Sequence, residues 1–230
     1  MKLDIASELK YFALSQGLSA IGSAPVSAYS GAPREHRPEE ILPQAKTVIT
    51  FTYRMNNAAI LNLPGTRNHY TTEFHTVNQL ISQAGHKIAR LLEEKGYPSI
   101  AISPEGAIGD LARLKADFSH KHSAVLCGLG QFGLNNLLLT PKHGPGVRLG
   151  SVITAAEITL DNPPLEENLC DSCGECVAAC PTGALQRYQE DFSPDTGRPV
   201  DKQACAHYMF TVHGGNRCGM CIKACLESRR

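Results

Sequence analysis

The chain has 230 residues, and its 22 basic and 22 acidic side chains cancel to zero net charge. Hydrophobic residues make up 42%, enough for a buried core, which excludes a disordered or fibrous chain. Zero net charge excludes a dedicated nucleic-acid-coating protein, which is basic overall.

Taken in order, the N-terminus carries Asp4, Glu8 and Lys10, which interrupt any apolar leader. Ile5, Leu9 and Phe12 predict an amphipathic first helix. Ser19–Ala24 reads as a short strand ended by Pro25, and the Gly-, Pro- and charge-rich stretch 29–40 as a surface loop. Thr47-Val-Ile-Thr-Phe-Thr-Tyr53 is β-branched and aromatic and predicts a strand. Residues 72–95 predict a long helix with Val77, Leu80, Ile81, Ala84, Ile88, Leu91 and Leu92 on one stripe, and Gly96 stands at the C-cap position. Ser99–Ile102 reads as a strand, Ser119 as the cap of a helix running towards Gly128, and Val147–Thr154 as a further strand. Alternating strands and helices predict an α/β or α+β core. Asn162-Pro-Pro164 is the best boundary signal, giving expected domains at 1–160 and 161–230. No stretch reaches the roughly 18 apolar residues of a membrane span, so the expectation is a cytoplasmic protein with no membrane and no nucleic-acid partner.

Cysteine is the uneven residue. Eight of the nine lie in the last 61 positions, with Cys127 alone before them. In a reducing compartment such clustering points to metal ligands rather than disulfides. Cys170-x2-Cys173-x2-Cys176-x3-Cys180-Pro181 is the bacterial ferredoxin run, whose fourth cysteine characteristically ligates the other of two clusters. Cys218-x2-Cys221-x3-Cys225 repeats its end, with the first ligand displaced upstream to Cys205. The expected assignment is interleaved: Cys170, Cys173, Cys176 and Cys225 on one [4Fe-4S] cluster, and Cys180, Cys205, Cys218 and Cys221 on the other. Zinc is the competing reading, but zinc ribbons use separated C-x2-C pairs rather than a triple run. Cys127, in Ala124-Val-Leu-Cys-Gly128, reads as a small buried hydrophobe. Two clusters in a small ferredoxin-like module make an electron relay, so the first part must hold the acceptor or meet a partner.

Gly128-Leu-Gly130-Gln-Phe-Gly133 matches a dinucleotide fingerprint, but Pro141 interrupts the helix that should follow. A tight turn packed against a neighbour is the better reading.

Ser119-His-Lys-His-Ser-Ala-Val-Leu-Cys-Gly-Leu-Gly-Gln-Phe-Gly133, Leu137-Leu-Leu-Thr-Pro-Lys-His-Gly144 and Val147-Arg-Leu-Gly-Ser-Val-Ile-Thr154 resemble the core of the epoxyqueuosine reductase and reductive dehalogenase superfamily. The cysteine layout, displaced Cys205 included, is similar to that family's two-cluster module, and the resemblance covers roughly residues 40–226. It implies a nitroreductase-like sheet-and-helix core holding a base-off corrinoid (cobalamin) beside one cluster, with electrons passing through the clusters to the corrinoid. It would place Gly128, Gly130, Gly133, Asn136, Leu138, Thr140, Gly144, Arg148 and Gly150 on the corrinoid. The departures concern the substrate. His120-Lys121 stand where epoxyqueuosine reductases carry Glu-Arg, and the catalytic acid's place falls at Leu114, with Asp110 and Asp117 nearby. The C-terminal repeat extension is also missing, so a tRNA-borne queuosine precursor is not the expected substrate.

A corrinoid reductase needs a proton donor. Tyr70, Asp117 and His120 are the catalytic candidates, from a wider set with Tyr53, His69 and His122. The leading expectation is an iron–sulfur oxidoreductase that draws on a low-potential donor of ferredoxin or flavodoxin type and reduces a small molecule or a corrinoid. The alternatives are an electron-transfer protein that docks a partner enzyme, and a flavin-binding nitroreductase-like reductase.

Overall fold

The computed structural model describes residues 4–105, 114, 116–163, 165, 167–186 and 192–229. Asp110 lies outside the described residues. Helix α1 (Ile5–Ser15) starts where the Asp4 carboxylate accepts from the Ser7 amide at 2.9 Å, and it buries Leu9 and Ala13. Strand β1 (Ala20–Pro25) follows, then a 3-10 turn at Val26–Tyr29 and a four-residue helix α2 (Pro38–Ile41) within the expected loop. Strand β2 (Thr47–Arg54) buries its first six residues. Six buried residues in succession mean that both its faces are covered, which explains its unbroken β-branched and aromatic composition. After α3 (Asn57–Leu61), helix α4 (Arg67–Glu93) runs 27 residues, starting about a turn and a half before the expected residue 72.

Strand β3 (Ser99–Ile102), helix α5 (His120–Leu126), the short hairpin strands β4 (Gln131–Phe132) and β5 (Leu138–Leu139), and strand β6 (Val147–Thr154) come next. The main sheet has the order β1-β2-β6-β3. Strands β1 and β2 pair antiparallel with Ala20 opposite Thr52, and β3 and β6 with Ser99 opposite Thr154. The Lys46 amide donates to the Thr154 carbonyl at one end of β2 and the Met55 amide to the Gly146 carbonyl at the other, so β2 and β6 also run antiparallel. An antiparallel sheet with helices is the α+β form of the expected class. The C-terminal stretch holds α6 (Glu175–Ala178), α7 (Lys202–His207), a π turn at Tyr208–Val212 and α8 (Met220–Ser228).

The chain packs as two units that interleave in sequence. The sheet unit takes Met1–Tyr53, Asn78–Leu129 and Arg148–Pro164. Its interior is tight at Gly150, where a Cβ would stand 2.6 Å from Ile81 Cγ2 and 2.7 Å from the Phe51 ring. Asn162, in the predicted boundary, ties this unit together by donating to the carbonyls of Ile21 at 3.2 Å and Cys127 at 3.0 Å. The cysteine unit takes Arg54–Val77, Gly130–Val147 and Leu165–Arg230. The cysteine-rich stretch expected from residue 161 is thus one part of a larger unit that also uses the β4–β5 hairpin and α3, with α8 packed on α6 and α3. Among the described residues no helix is long and apolar enough to cross a membrane.

Candidate metal centre

All nine cysteines are free thiols. Cys173-Gly174-Glu-Cys176 and Cys218-Gly219-Met-Cys221 fold alike: each glycine sits in the left-handed region (φ 79 and 68) and caps the helix that follows, α6 or α8. That turn directs one cysteine before the helix and one inside it towards a common centre.

The thiols of Cys170, Cys173, Cys176 and Cys225 line one cavity of about 310 Å³, together with Leu134, Asn135 and Arg229. Burial pushes the Cys225 thiol up to about 12, with Cys176, Cys170 and Cys173 adding to the rise and Arg229 opposing it. Burial, then Cys218 and Cys180, pushes the Cys205 thiol up to about 11. The half-buried Cys221 is raised by burial first, and then by Cys218, Cys205, Cys176 and Cys180. Cys225, Cys205 and Cys221 therefore each feel mainly the other members of their own expected group, and the two groups adjoin at Cys176 and Cys221. Both of these pack in the same apolar patch with Leu134, Val177 and Leu185. Cys180 runs the other way. Burial opposes its ionisation, but hydrogen bonds from Thr182 and from the Leu185 and Ala184 amides outweigh that and lower its value.

A zinc ion would need thiolates drawn to within about 4 Å of one another. Among the described residues no three His, Cys, Asp or Glu side chains are gathered for a single ion. Four thiols around a cavity suit a cubane cluster instead, and the residues present fit two of them.

The other candidate residues fall in both units. Tyr70 is 2% exposed in the cysteine unit, and a Cβ on Gly219, the residue after Cys218, would stand 2.6 Å from its ring, so Tyr70 packs on the turn that follows Cys218. Asp117 is exposed in the sheet unit, where its backbone carbonyl accepts from His36 Nδ1 at 3.3 Å. His120, in the same unit, ends a buried chain of hydroxyls. Tyr29 OH meets Ser123 Oγ at 2.5 Å, Ser123 meets Thr50 Oγ1 at 2.6 Å, Thr50 meets Ser151 Oγ at 3.0 Å, and Ser151 meets His120 Nδ1 at 2.8 Å. His120 Nε2 lies 2.8 Å from the Ser103 carbonyl.

A carbonyl only accepts, so Nε2 carries the proton and Nδ1 of the neutral ring accepts from Ser151. Each hydroxyl has one proton, so every donor in the chain then points one way, from Tyr29 to Ser103. Burial lowers His120 to about 4; the bond to Ser103 opposes this and the Arg148 charge adds to it. The ring is neutral near pH 7 with both nitrogens engaged by the protein. Burial raises the Tyr29 hydroxyl, and pushes the Cys127 thiol up to about 11, which agrees with an inert, buried Cys127.

The positions that the resemblance puts on a corrinoid also make contacts within the polypeptide. A Cβ at Gly130 would run into the Leu139 carbonyl, and one at Gly133 would stand 2.9 Å from Leu139 Cδ1, so both glycines serve the β4–β5 hairpin. Leu138 is buried in that hairpin, Thr140 Oγ1 donates to the Gly144 carbonyl at 3.2 Å, and Asn136 Oδ1 accepts from the Arg198 amide at 3.3 Å. A Cβ at Gly128 would stand 3.3 Å from Asn162 Cβ, Gly150 is closed in by Ile81 and Phe51, and Arg148 Nε donates to Asn78 Oδ1 at 2.8 Å. These contacts build a hairpin in the cysteine unit and part of the core in the sheet unit.

Two residues of the metal site escaped the sequence reading: Asn135 and Arg198. Asn135 lines the cavity. Arg198 is 5% exposed, and its Nε donates to the Leu134 carbonyl at 2.8 Å. The paired asparagines after Gly133 were the only local signal for the first, and nothing in spacing marked the second.

Two models of a 4Fe-4S binding domain match the chain, at residues 163–186 and 216–228. An epoxyqueuosine reductase of Gloeobacter violaceus is 27% identical over 175 residues, which is 74% of this chain and 50% of the relative. A tetrachloroethene reductive dehalogenase of Desulfitobacterium hafniense is 27% identical over 194 residues, 78% of this chain and 32% of the relative. The chain thus spans half or less of the length of these relatives. A catabolic reductive dehalogenase solved with 3-bromo-4-hydroxybenzoic acid shares the fold with a TM-score of 0.74 at 17% identity, over 96% of this chain and 31% of its own. The cysteine pattern, the two matched cluster segments and both sets of relatives agree: the chain belongs to the superfamily of the epoxyqueuosine reductases and reductive dehalogenases.

Proposed function

We propose that the chain is an iron–sulfur reductase whose two [4Fe-4S] clusters relay single electrons from a low-potential donor of ferredoxin or flavodoxin type to a bound acceptor. The observation that carries this reading is the sorting of eight thiols into two groups, one of which lines a single cavity. A cluster supplies one-electron chemistry. This chain's part is to hold the thiolates, keep water from Cys176, and bring the two groups together at Cys176 and Cys221.

A corrinoid is the acceptor to test first. A reductive dehalogenase of this fold is described as acting by B12-dependent dehalogenation, and the tetrachloroethene reductases are close enough in sequence to share the core. A small molecule or a corrinoid is the proposed substrate class. A solved epoxyqueuosine reductase binds an epoxyqueuosine-modified tRNA stem loop, but Leu114 and His120-Lys121 replace the acid and the Glu-Arg pair on which that chemistry rests in the resemblance. Tyr70 and Asp117 remain, each in its own unit, proposed proton donors, while His120 is a neutral, oriented imidazole closed into the hydroxyl chain.

The test is anaerobic reconstitution followed by metal analysis and spectroscopy. About eight iron and eight sulfide per chain are expected; four, or zinc, refutes two clusters. Incubation with cobalamin should leave a retained corrinoid with a base-off spectrum, and loss of the corrinoid on desalting refutes that part. A second reading, electron delivery to a docked enzyme, is favoured by Phe210 and Val212. They are 51% and 57% exposed on the π turn after the helix that carries Cys205.

A further inference from the structure

Two buried nitrogen atoms close to the thiols of the Cys170 group, Asn135 Nδ2 and Arg198 Nη1, have no hydrogen-bond acceptor in the polypeptide. Asn135 is 4% exposed and lines the cavity with Cys170, Cys173, Cys176 and Cys225. Its Oδ1 accepts from the Leu137 amide at 3.1 Å, which leaves Nδ2 as the free end of the amide. Arg198 donates from Nε to the Leu134 carbonyl and from Nη2 to the Leu185 carbonyl, while Nη1 has no partner. The charges that act on its guanidinium are the thiols of Cys176, Cys170 and Cys180, in that order.

An unpaired buried N–H costs about 1–3 kcal/mol, and more when charged. Neither group can swing away to water. The Phe132 amide donates to the Pro194 carbonyl at 2.7 Å, Ser193 and Gly197 close a bridge, and the Arg198 amide donates to Asn136 Oδ1. Rigid donors without acceptors beside a ring of thiols mark where sulfur of a cluster belongs.

We propose that Asn135 Nδ2 and Arg198 Nη1 donate N–H···S hydrogen bonds to the cluster held by Cys170, Cys173, Cys176 and Cys225, and make it the easier of the two to reduce. The proposal rests on the two-cluster reading. The step is a one-electron gain by an already anionic cluster, with the electron supplied by the low-potential donor; no proton moves and no bond breaks. Donors and a cation next to the cluster favour its more negative, reduced form. Arg198 also reaches Cys180, but two of its three thiol neighbours belong to the first group.

The experiment is a potentiometric titration of the full reconstituted chain followed by electron paramagnetic resonance. Iron and sulfide measured on the same samples report on the cluster reading separately. Asn135→Asp keeps the acceptor for Leu137 and removes the donor, and Arg198→Gln removes the charge. In each, the reduced-to-oxidised ratio of one cluster at fixed potential is expected to fall at least tenfold, about 59 mV for one electron. The shifted cluster is the one missing from Cys225→Ser, and Arg198→Lys shifts it less. Unchanged midpoints with iron retained, or a shift confined to the other cluster, overturn the proposal. Pulsed resonance on the reduced native chain carrying 15N-arginine needs no variant at this site. A nitrogen coupling that persists in Arg229→Gln is expected, and its absence overturns the role of Arg198.

Discussion

Two buried sites, one in each unit, handle polar chemistry in opposite ways. In the sheet unit the chain from Tyr29 through Ser123, Thr50 and Ser151 to His120 is closed by the Ser103 carbonyl, so each donor in it finds an acceptor in the polypeptide. In the cysteine unit, four thiols line one cavity, and Asn135 Nδ2 and Arg198 Nη1 have no polypeptide acceptor. A network satisfied from within holds an architecture together. A buried site left unsatisfied is built for something the polypeptide does not contain. The contrast also reassigns His120, which belongs to the closed network and is held neutral and oriented.

The comparison breaks most sharply at the cysteines. Cys225→Ser removes a thiol from the group that lines the cavity, and iron is expected to fall from about eight to about four per chain while the second cluster persists. Cys180→Ser is expected to leave the first cluster and remove the other. If Cys225→Ser instead spares the spectrum of the Cys170 group, the interleaved pairing is wrong. Next in size is Gly130→Ala. Its Cβ meets the Leu139 carbonyl, a backbone atom that cannot rotate away, so a loss above about 3 kcal/mol is expected in denaturant unfolding. If Gly130 served a bound ligand instead, the apoprotein would lose little.

How much of this was legible in the residues depends on the range of the signal. Ligand spacing is local, and Cys-x2-Cys has few uses, so both cysteine groups were readable, including the displaced Cys205. Strand β2 was readable because a strand buried on both faces favours apolar and β-branched residues along its whole length. The hydroxyl chain was not: Tyr29, Thr50, Ser123 and Ser151 are far apart, and each looks like an ordinary residue of its own element. The interleaving of the units was hidden for the same reason, since packing brings 54–77 and 130–147 to the cysteine stretch across long separations. Arg198 carries no motif, and only its buried guanidinium beside three thiols reveals it.

A smaller test of the sheet unit uses pH. His120 has a folded value of about 4 against an ordinary 6.5. Between those values the unfolded chain binds the proton and the folded one does not, so stability falls as pH drops from 6.5 towards 4 and is flat outside that window. The full effect is at most about 3 kcal/mol. Comparing unfolding of the native chain and His120→Gln between pH 7 and pH 5 isolates it: the native curve slopes, and the variant lacks that part of the slope. Equal slopes would mean that the imidazole titrates normally and is not locked between Ser151 and Ser103.

The smallest expected effect tests the direction of the chain. Tyr29 is the first donor, so Tyr29→Phe removes one bond to Ser123 Oγ and leaves Ser123 donating to Thr50 as before. A loss of about 1 kcal/mol is expected. Thr50→Val, nearly isosteric, cuts the middle: Ser123 loses its acceptor and Ser151 its donor, both fully buried, for about 2 kcal/mol. The order of the two variants carries the information. If the donors ran from His120 to Tyr29 instead, Tyr29→Phe would strand the Ser123 hydroxyl proton and cost as much as Thr50→Val. A Tyr29 variant that is clearly the milder of the two, measured by denaturant midpoint at pH 7, fixes Nε2 as the protonated nitrogen of His120.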